Sequence, residues 1–146
     1  MKLVLFYLLI LASYVVAENT SYMTATSILS VDNDTMLIEL KLDVINNSSQ
    51  PMKLMSCAYV GQINEIEPFV LSGETNRFYA SSYVNCNGKC YYQWGESAIN
   101  NTIEIIWYFN RKFHIEYYGI TWSPLFRSDV RIVESAWAQY ILRDKI

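Results

Sequence analysis

The chain has 146 residues and a formal net charge of −3, with 52% hydrophobic, 15% aromatic and 17% charged residues. That apolar content excludes intrinsic disorder, five Gly and three Pro exclude a collagen-like array, and the acidic balance argues against nucleic acid as a partner. The length suits a single domain.

Met1-Lys2 is a short basic start, followed by an apolar run from Leu3 to Val16 broken only by Ser13. The run is shorter than the roughly 20 residues that span a bilayer, and Val15-Val16-Ala17 places small or β-branched residues before a cleavage point at Glu18. Residues 1–17 are therefore expected to be a secretory signal and 18–146 the secreted, extracellular domain. No second apolar stretch of spanning length follows, so no transmembrane segment is expected in the mature chain. Sequons at Asn19, Asn33, Asn46, Asn47 and Asn100 agree with a secretory route, and most fall between apolar runs where surface loops belong.

Period-two alternation dominates from Met36 onward. Met36, Ile38, Leu40, Leu42 and Val44 share one face, opposite Glu39, Lys41 and Asp43, which predicts a half-buried strand. Asn46 to Pro51 is a turn, and Met52 to Val60 a second strand closed by Gly61. Pro68-Phe69-Val70-Leu71 is a short extended segment ending at Ser72-Gly73. Arg77 to Val84 is a further strand, and the Asn87-Gly88 pair predicts a hairpin turn into Cys90-Tyr91-Tyr92-Gln93-Trp94. Ile103, Ile105, Trp107 and Phe109 again share a face. Asn110-Arg111-Lys112 turns the chain into Phe113 to Tyr118, Asp129 to Val133 is another strand, and Ser135 to Arg143 reads as a strand or a short terminal helix. Short strands about every ten residues, with turn signals between them, predict an all-β, antiparallel β-sandwich.

Cys57, Cys86 and Cys90 allow one intramolecular disulfide. A Cys86–Cys90 bridge would clamp the expected Asn-Gly hairpin and leave Cys57 as a buried thiol; pairing of Cys57 with either partner would instead tie distant strands together. Three Cys and one His at these spacings match no zinc site. The single histidine, His114, lies in an expected strand, and no nucleophile, phosphate-loop or dinucleotide motif accompanies it. Glu65 and Glu67 are expected to be loop carboxylates, and Asp32 and Asp34 lack the downstream ligands of a calcium loop. No catalytic activity, metal or cofactor is expected.

The aromatic residues are the chemistry that remains. Neighbours such as Tyr91-Tyr92 and Tyr117-Tyr118 must point to opposite faces of a strand, so one of each pair should lie outside the core. Tyr91, Tyr92, Trp94, Tyr118 and Trp122 are accordingly expected to form a binding surface, because each combines an apolar ring with a polar tip.

Val44-Ile45-Asn46-Asn47-Ser48, Pro68-Phe69-Val70-Leu71-Ser72-Gly73, Phe78-Tyr79-Ala80-Ser81-Ser82 and Ile103-Glu104-Ile105-Ile106-Trp107 follow one another in an order that resembles small secreted sandwich proteins of the actinoporin- and aegerolysin-like group. The resemblance spans about residues 36–119. It implies a compact sandwich that binds membrane lipid, in some members forming pores with a partner or an N-terminal helix. Residues 18–30 are polar and offer no amphipathic helix to insert, so binding is expected more than autonomous lysis. The sequence thus predicts a secreted module that binds membrane lipid or a cell-surface glycan, or alternatively a protein receptor.

Overall fold

The computed structural model describes the backbone of Thr20–Ala25 and residues 37–96, 101–121 and 123–145. The expected signal segment, Asn19, Asn33, Asn100 and Trp122 lie outside the described residues.

The eleven strands are β1 (Thr20–Ala25), β2 (Ile38–Asn47), β3 (Met52–Val60), β4 (Gln62–Asn64), β5 (Phe69–Val70), β6 (Thr75–Ser82), β7 (Asn85–Trp94), β8 (Thr102–Asn110), β9 (Ile115–Thr121), β10 (Phe126–Glu134) and β11 (Trp137–Asp144). They form two sheets, ordered β1-β9-β8-β7-β3-β5 and β10-β11-β2-β6-β4, so the fold is an all-β sandwich. Pairing is antiparallel except between β11 and β2. The terminal segment that could have been helix is strand β11, whose Ala138, Tyr140 and Leu142 alternate into the core. Among the described residues no helix is long and apolar enough to cross a membrane.

The core is the alternation made physical. Ile38, Leu40, Leu42 and Val44 of β2, with Phe78 and Ala80 of β6, face Ile103, Ile105, Trp107 and Phe109 of β8, and the edge of Phe78 meets Trp107 at 5.7 Å between ring centroids. Tyr92, Tyr118 and Tyr140 are buried with them; Tyr118 donates to Glu116 Oε1 and Tyr140 to the Ile106 carbonyl. Burial pushes the phenols of all three well above the usual tyrosine range.

Two sequence expectations fail here. Asn87-Gly88 is not a turn: β7 runs unbroken from Asn85 to Trp94, and reversal occurs earlier, at Tyr83-Val84, where the chain passes from one sheet to the other. Gly88 is needed for closeness rather than for a turn, because a Cβ there would stand 2.3 Å from Trp107 Cζ2. The disulfide is Cys57–Cys90, not Cys86–Cys90. Cys57 and Cys90 are register partners on β3 and β7, whereas Cys86 and Cys90 lie four residues apart on one strand, about 13 Å, far beyond disulfide reach. Cys86 is the buried thiol, and desolvation pushes its pKa up to about 12.

Candidate functional site: an apolar end of the sandwich

The strand register gathers several sequence-distant segments at one end. Ile38 pairs with Ser82, Val60 with Asn87, Asn85 with Asn110 and Asn110 with Ile115. Leu37, Tyr59-Val60, the Tyr83-Val84 crossing and the turn that follows Asn110 therefore converge. Of the eleven exposed large apolar side chains among the described residues, seven sit here: Leu37, Tyr59, Val60, Tyr83, Val84, Phe113 and Ile115, between 37% and 62% exposed. Water-exposed apolar surface gathered at one place is costly unless it is used, which makes this end the candidate site.

The end is held in shape by the backbone beneath it. Asn110 is buried; its Oδ1 accepts from Phe113 N at 3.1 Å and its Nδ2 donates to Asn85 Oδ1 at 2.6 Å. His114 takes positive φ in that turn, with its N–H donated to the Arg111 carbonyl, so it is an exposed turn residue and not the strand residue expected. Gly61 (φ +100°) lets β3 cross into β4 with its backbone close against β6: a side chain there would meet the Ser81 carbonyl oxygen at 2.1 Å. Lys112 stands over the Phe113 ring at 5.7 Å from its centroid, a cation beside the apolar tip.

The aromatic residues expected to bind are dispersed. Tyr92 and Tyr118 are fully buried between the sheets and cannot form a surface, because inward positions on β7 and β9 fall on even numbers. Trp94 is half-buried, donates its indole N–H to Ser48 Oγ at 2.7 Å and packs on Phe126, so it seals the opposite end. Tyr91 is half-exposed on the outer sheet face near Lys89. The residues that sequence reasoning missed, Tyr83 and Phe113, do have a signal: each is an aromatic residue abutting a turn, where neither strand face can absorb it.

The two sequon asparagines among the described residues, Asn46 and Asn47, lie away from this end. Asn47 ends β2 opposite the Ile38 end and is exposed. Asn46 is fully buried, its Nδ2 donating to the Gln50 carbonyl at 2.7 Å and the Val70 carbonyl at 2.9 Å, so it cannot carry a glycan in this fold. Glu65 and Glu67 are exposed, as expected of loop carboxylates, and the described residues hold no cluster of three or more metal-ligating side chains. No protein-family model matches the chain, and no curated protein matches it as a relative.

Proposed function

We propose that the protein is a secreted binding module that docks on a membrane interface through the apolar end, without catalysis. The observation that carries this reading is the convergence of Tyr59, Val60, Tyr83, Val84 and Phe113, with Lys112, on strand ends and turns at one end of the sandwich. Aromatic rings with polar tips and flanking cations suit the headgroup layer, where each ring is partly desolvated and each cation meets phosphate. Withdrawing ~200 Å² of this end from water supplies about 5 kcal/mol at roughly 25 cal/mol per Å², a usable share of a reversible surface affinity. Placement of Asn47 at the far end keeps a glycan there clear of the bilayer. The resemblance to lipid-binding sandwich proteins points the same way.

A second reading, a protein receptor, is favoured by β3. Beyond Lys53 no strand among the described residues pairs with its outer side, and Met55 to Val60 carry no charge, whereas the other sheet's edge strand β10 is guarded by Arg127, Asp129, Arg131 and Glu134.

Co-sedimentation with liposomes of varied sterol and sphingolipid content tests the first reading. The wild type should sediment, and Tyr83→Asp/Phe113→Asp should lose binding by about tenfold or more, while Leu125→Asp, away from this end, should not. Equal sedimentation of all three would refute the apolar-end site. Absence of wild-type sedimentation on every composition would favour the receptor reading and a search for a strand-adding partner.

A further inference from the structure

The outer face of the β10-β11-β2-β6 sheet has a charge character unlike the rest of the chain. Register places Arg127 beside Arg143, Arg131 beside Gln139, Gln139 beside Asp43, Asp43 beside Arg77 and Trp137 beside Lys41. Five cations thus share this face with the four carboxylates of Glu39, Asp43, Asp129 and Glu134, a cationic excess in a chain whose overall charge is −3. Off this face the described charges are mainly acidic, so this face is the broadest cationic surface among the described residues.

The centre of the face is built rather than incidental. Asp43 is fully buried and accepts from Arg77 Nε at 2.7 Å, Arg77 Nη2 at 3.1 Å, Trp137 Nε1 at 3.0 Å and Gln139 Nε2 at 3.2 Å. Lys41 Nζ lies 3.6 Å from the Trp137 ring centroid, which fixes the ammonium over the sheet. One carboxylate therefore positions a guanidinium and an indole, and the indole positions an ammonium. Arg127 and Arg131 stand exposed on the edge strand, four residues or about 13 Å apart, and make no ion pair among the described residues. Arg143 pairs with Asp129 at 2.6 Å, but both are exposed, so that pair exchanges readily for an outside anion.

We infer that this face binds a sulfated polysaccharide laid across the strands. The cations span about 14 Å from Arg131 on β10 to Arg77 on β6, too wide for one small anion and suited to sulfates repeated along a chain. Four of the five are Arg, whose planar fork matches sulfate as it does phosphate and carboxylate. Single-stranded nucleic acid is disfavoured, since the one Trp of the face is half-buried beneath Lys41 and offers no open ring for base stacking. The face also looks sideways, perpendicular to the strands, while the apolar end looks along them. A molecule docked end-on leaves the cations in solvent above the membrane, where cell-surface polysaccharide lies, instead of against headgroups.

Immobilised heparin is the probe, with dissociation constants measured across a series of NaCl concentrations. The wild type should bind at about 0.15 M NaCl, with log affinity falling linearly in log salt. Arg127→Glu/Arg131→Glu should weaken binding by about tenfold or more, and Lys53→Glu/Lys89→Glu on the other sheet should leave it unchanged. Asn47 closes the face beside Arg143, so Asn47→Gln should bind as well as or better than wild type. Circular dichroism of each exposed-site variant checks that it folds. No retention of the wild type, equal losses in the two double variants, weakening in Asn47→Gln, or tighter binding to an oligonucleotide would overturn the inference. So would loss of phosphatidylserine vesicle binding in Arg127→Glu/Arg131→Glu with heparin binding intact. The liposome assay on Tyr83 and Phe113 reads a different surface, so either proposal can fail alone.

Discussion

Gly88→Ala isolates a tight packing contact against the core tryptophan. Gly88 lies inside a strand with no positive φ, so alanine would ordinarily be neutral or gain a few tenths to about 1 kcal/mol by restricting the unfolded chain. Here its methyl carbon would stand 2.3 Å from Trp107 Cζ2, 2.8 Å from Cε2 and 2.8 Å from Tyr59 Cβ. Trp107 is fully buried and held by Phe78, so neither partner can retreat by an ångström without moving the core or β3. Overpacking of this kind costs about 1–3 kcal/mol, giving a net loss of about 2 kcal/mol and a fall in Tm of about 6–10 °C for a chain of this size. The two indole contact atoms belong to its benzo ring, which Phe lacks, and Trp107 Nε1 has no hydrogen-bond partner among the described residues to forfeit. Trp107→Phe should therefore cost only its cavity, about 1–2 kcal/mol, and Gly88→Ala should lose much less on that background, where only the 2.8 Å approach to Tyr59 Cβ remains. Urea midpoints of the four proteins give the coupling energy. A Gly88→Ala protein as stable as wild type, or additive losses in the double variant, would refute the packing account.

The disulfide closes a loop between residues 33 apart, so Cys57→Ser/Cys90→Ser should lose up to about 4 kcal/mol in urea titrations, while Cys86→Ser should leave the bridge intact by mass spectrometry. Cys86, buried with its pKa pushed up to about 12, should resist iodoacetamide in the folded protein and react on unfolding. Burial raises the Asp43 carboxyl, but hydrogen bonds from Arg77, Trp137 and Gln139 outweigh it and hold the pKa below the ordinary 3.8. Its contribution is then fully present above that value and lost as pH falls through the depressed native pKa; Asp43→Asn should be less stable than wild type at neutral pH by about 2 kcal/mol and converge with it in strong acid. Asn46→Ala should cost about 3 kcal/mol by stranding the Gln50 and Val70 carbonyls, whereas Asn47→Gln should leave stability unchanged and remove any glycan from that sequon, read as a mass shift.

The strands were legible where one face alone is buried. β2 and β8 alternate so regularly that the sequence gives their faces directly, and the inward Ile103, Ile105, Trp107 and Phe109 follow from it. Direction was not legible where both neighbours were aromatic. Tyr91-Tyr92 requires one ring inside and one outside, but parity is set by the register with β3 and β8, which joins residues more than ten positions apart. The same long-range register hid the disulfide, since Cys57 meets Cys90 only through β3–β7 pairing, and it hid the apolar end, whose members come from four separate segments. Asn87-Gly88 misled because glycine serves two physical needs, and a local pattern cannot separate a left-handed turn from space for a tryptophan on the next strand. Asn46 misled likewise: a sequon asparagine and an asparagine that closes a loop with its own amide read identically.

Taken together, the burials and charges divide the molecule by direction. Along the strands, one end is apolar and held by Asn110 and Gly61, and the other is sealed by Trp94 on Ser48 and closed by Asn46 and the exposed Asn47. Across the strands, one sheet face gathers five cations around a buried carboxylate. A sandwich is suited to this division, because strand ends and sheet faces are orthogonal surfaces built from different residues: loops and crossings set the ends, while outward alternate positions set the faces. The inner positions that fix stability, such as Trp107 and Tyr140, belong to neither. Substitutions at Tyr83 or Phe113, and at Arg127 or Arg131, should accordingly change what the protein adheres to with little effect on unfolding, and substitutions at Gly88 or Asn46 should do the reverse.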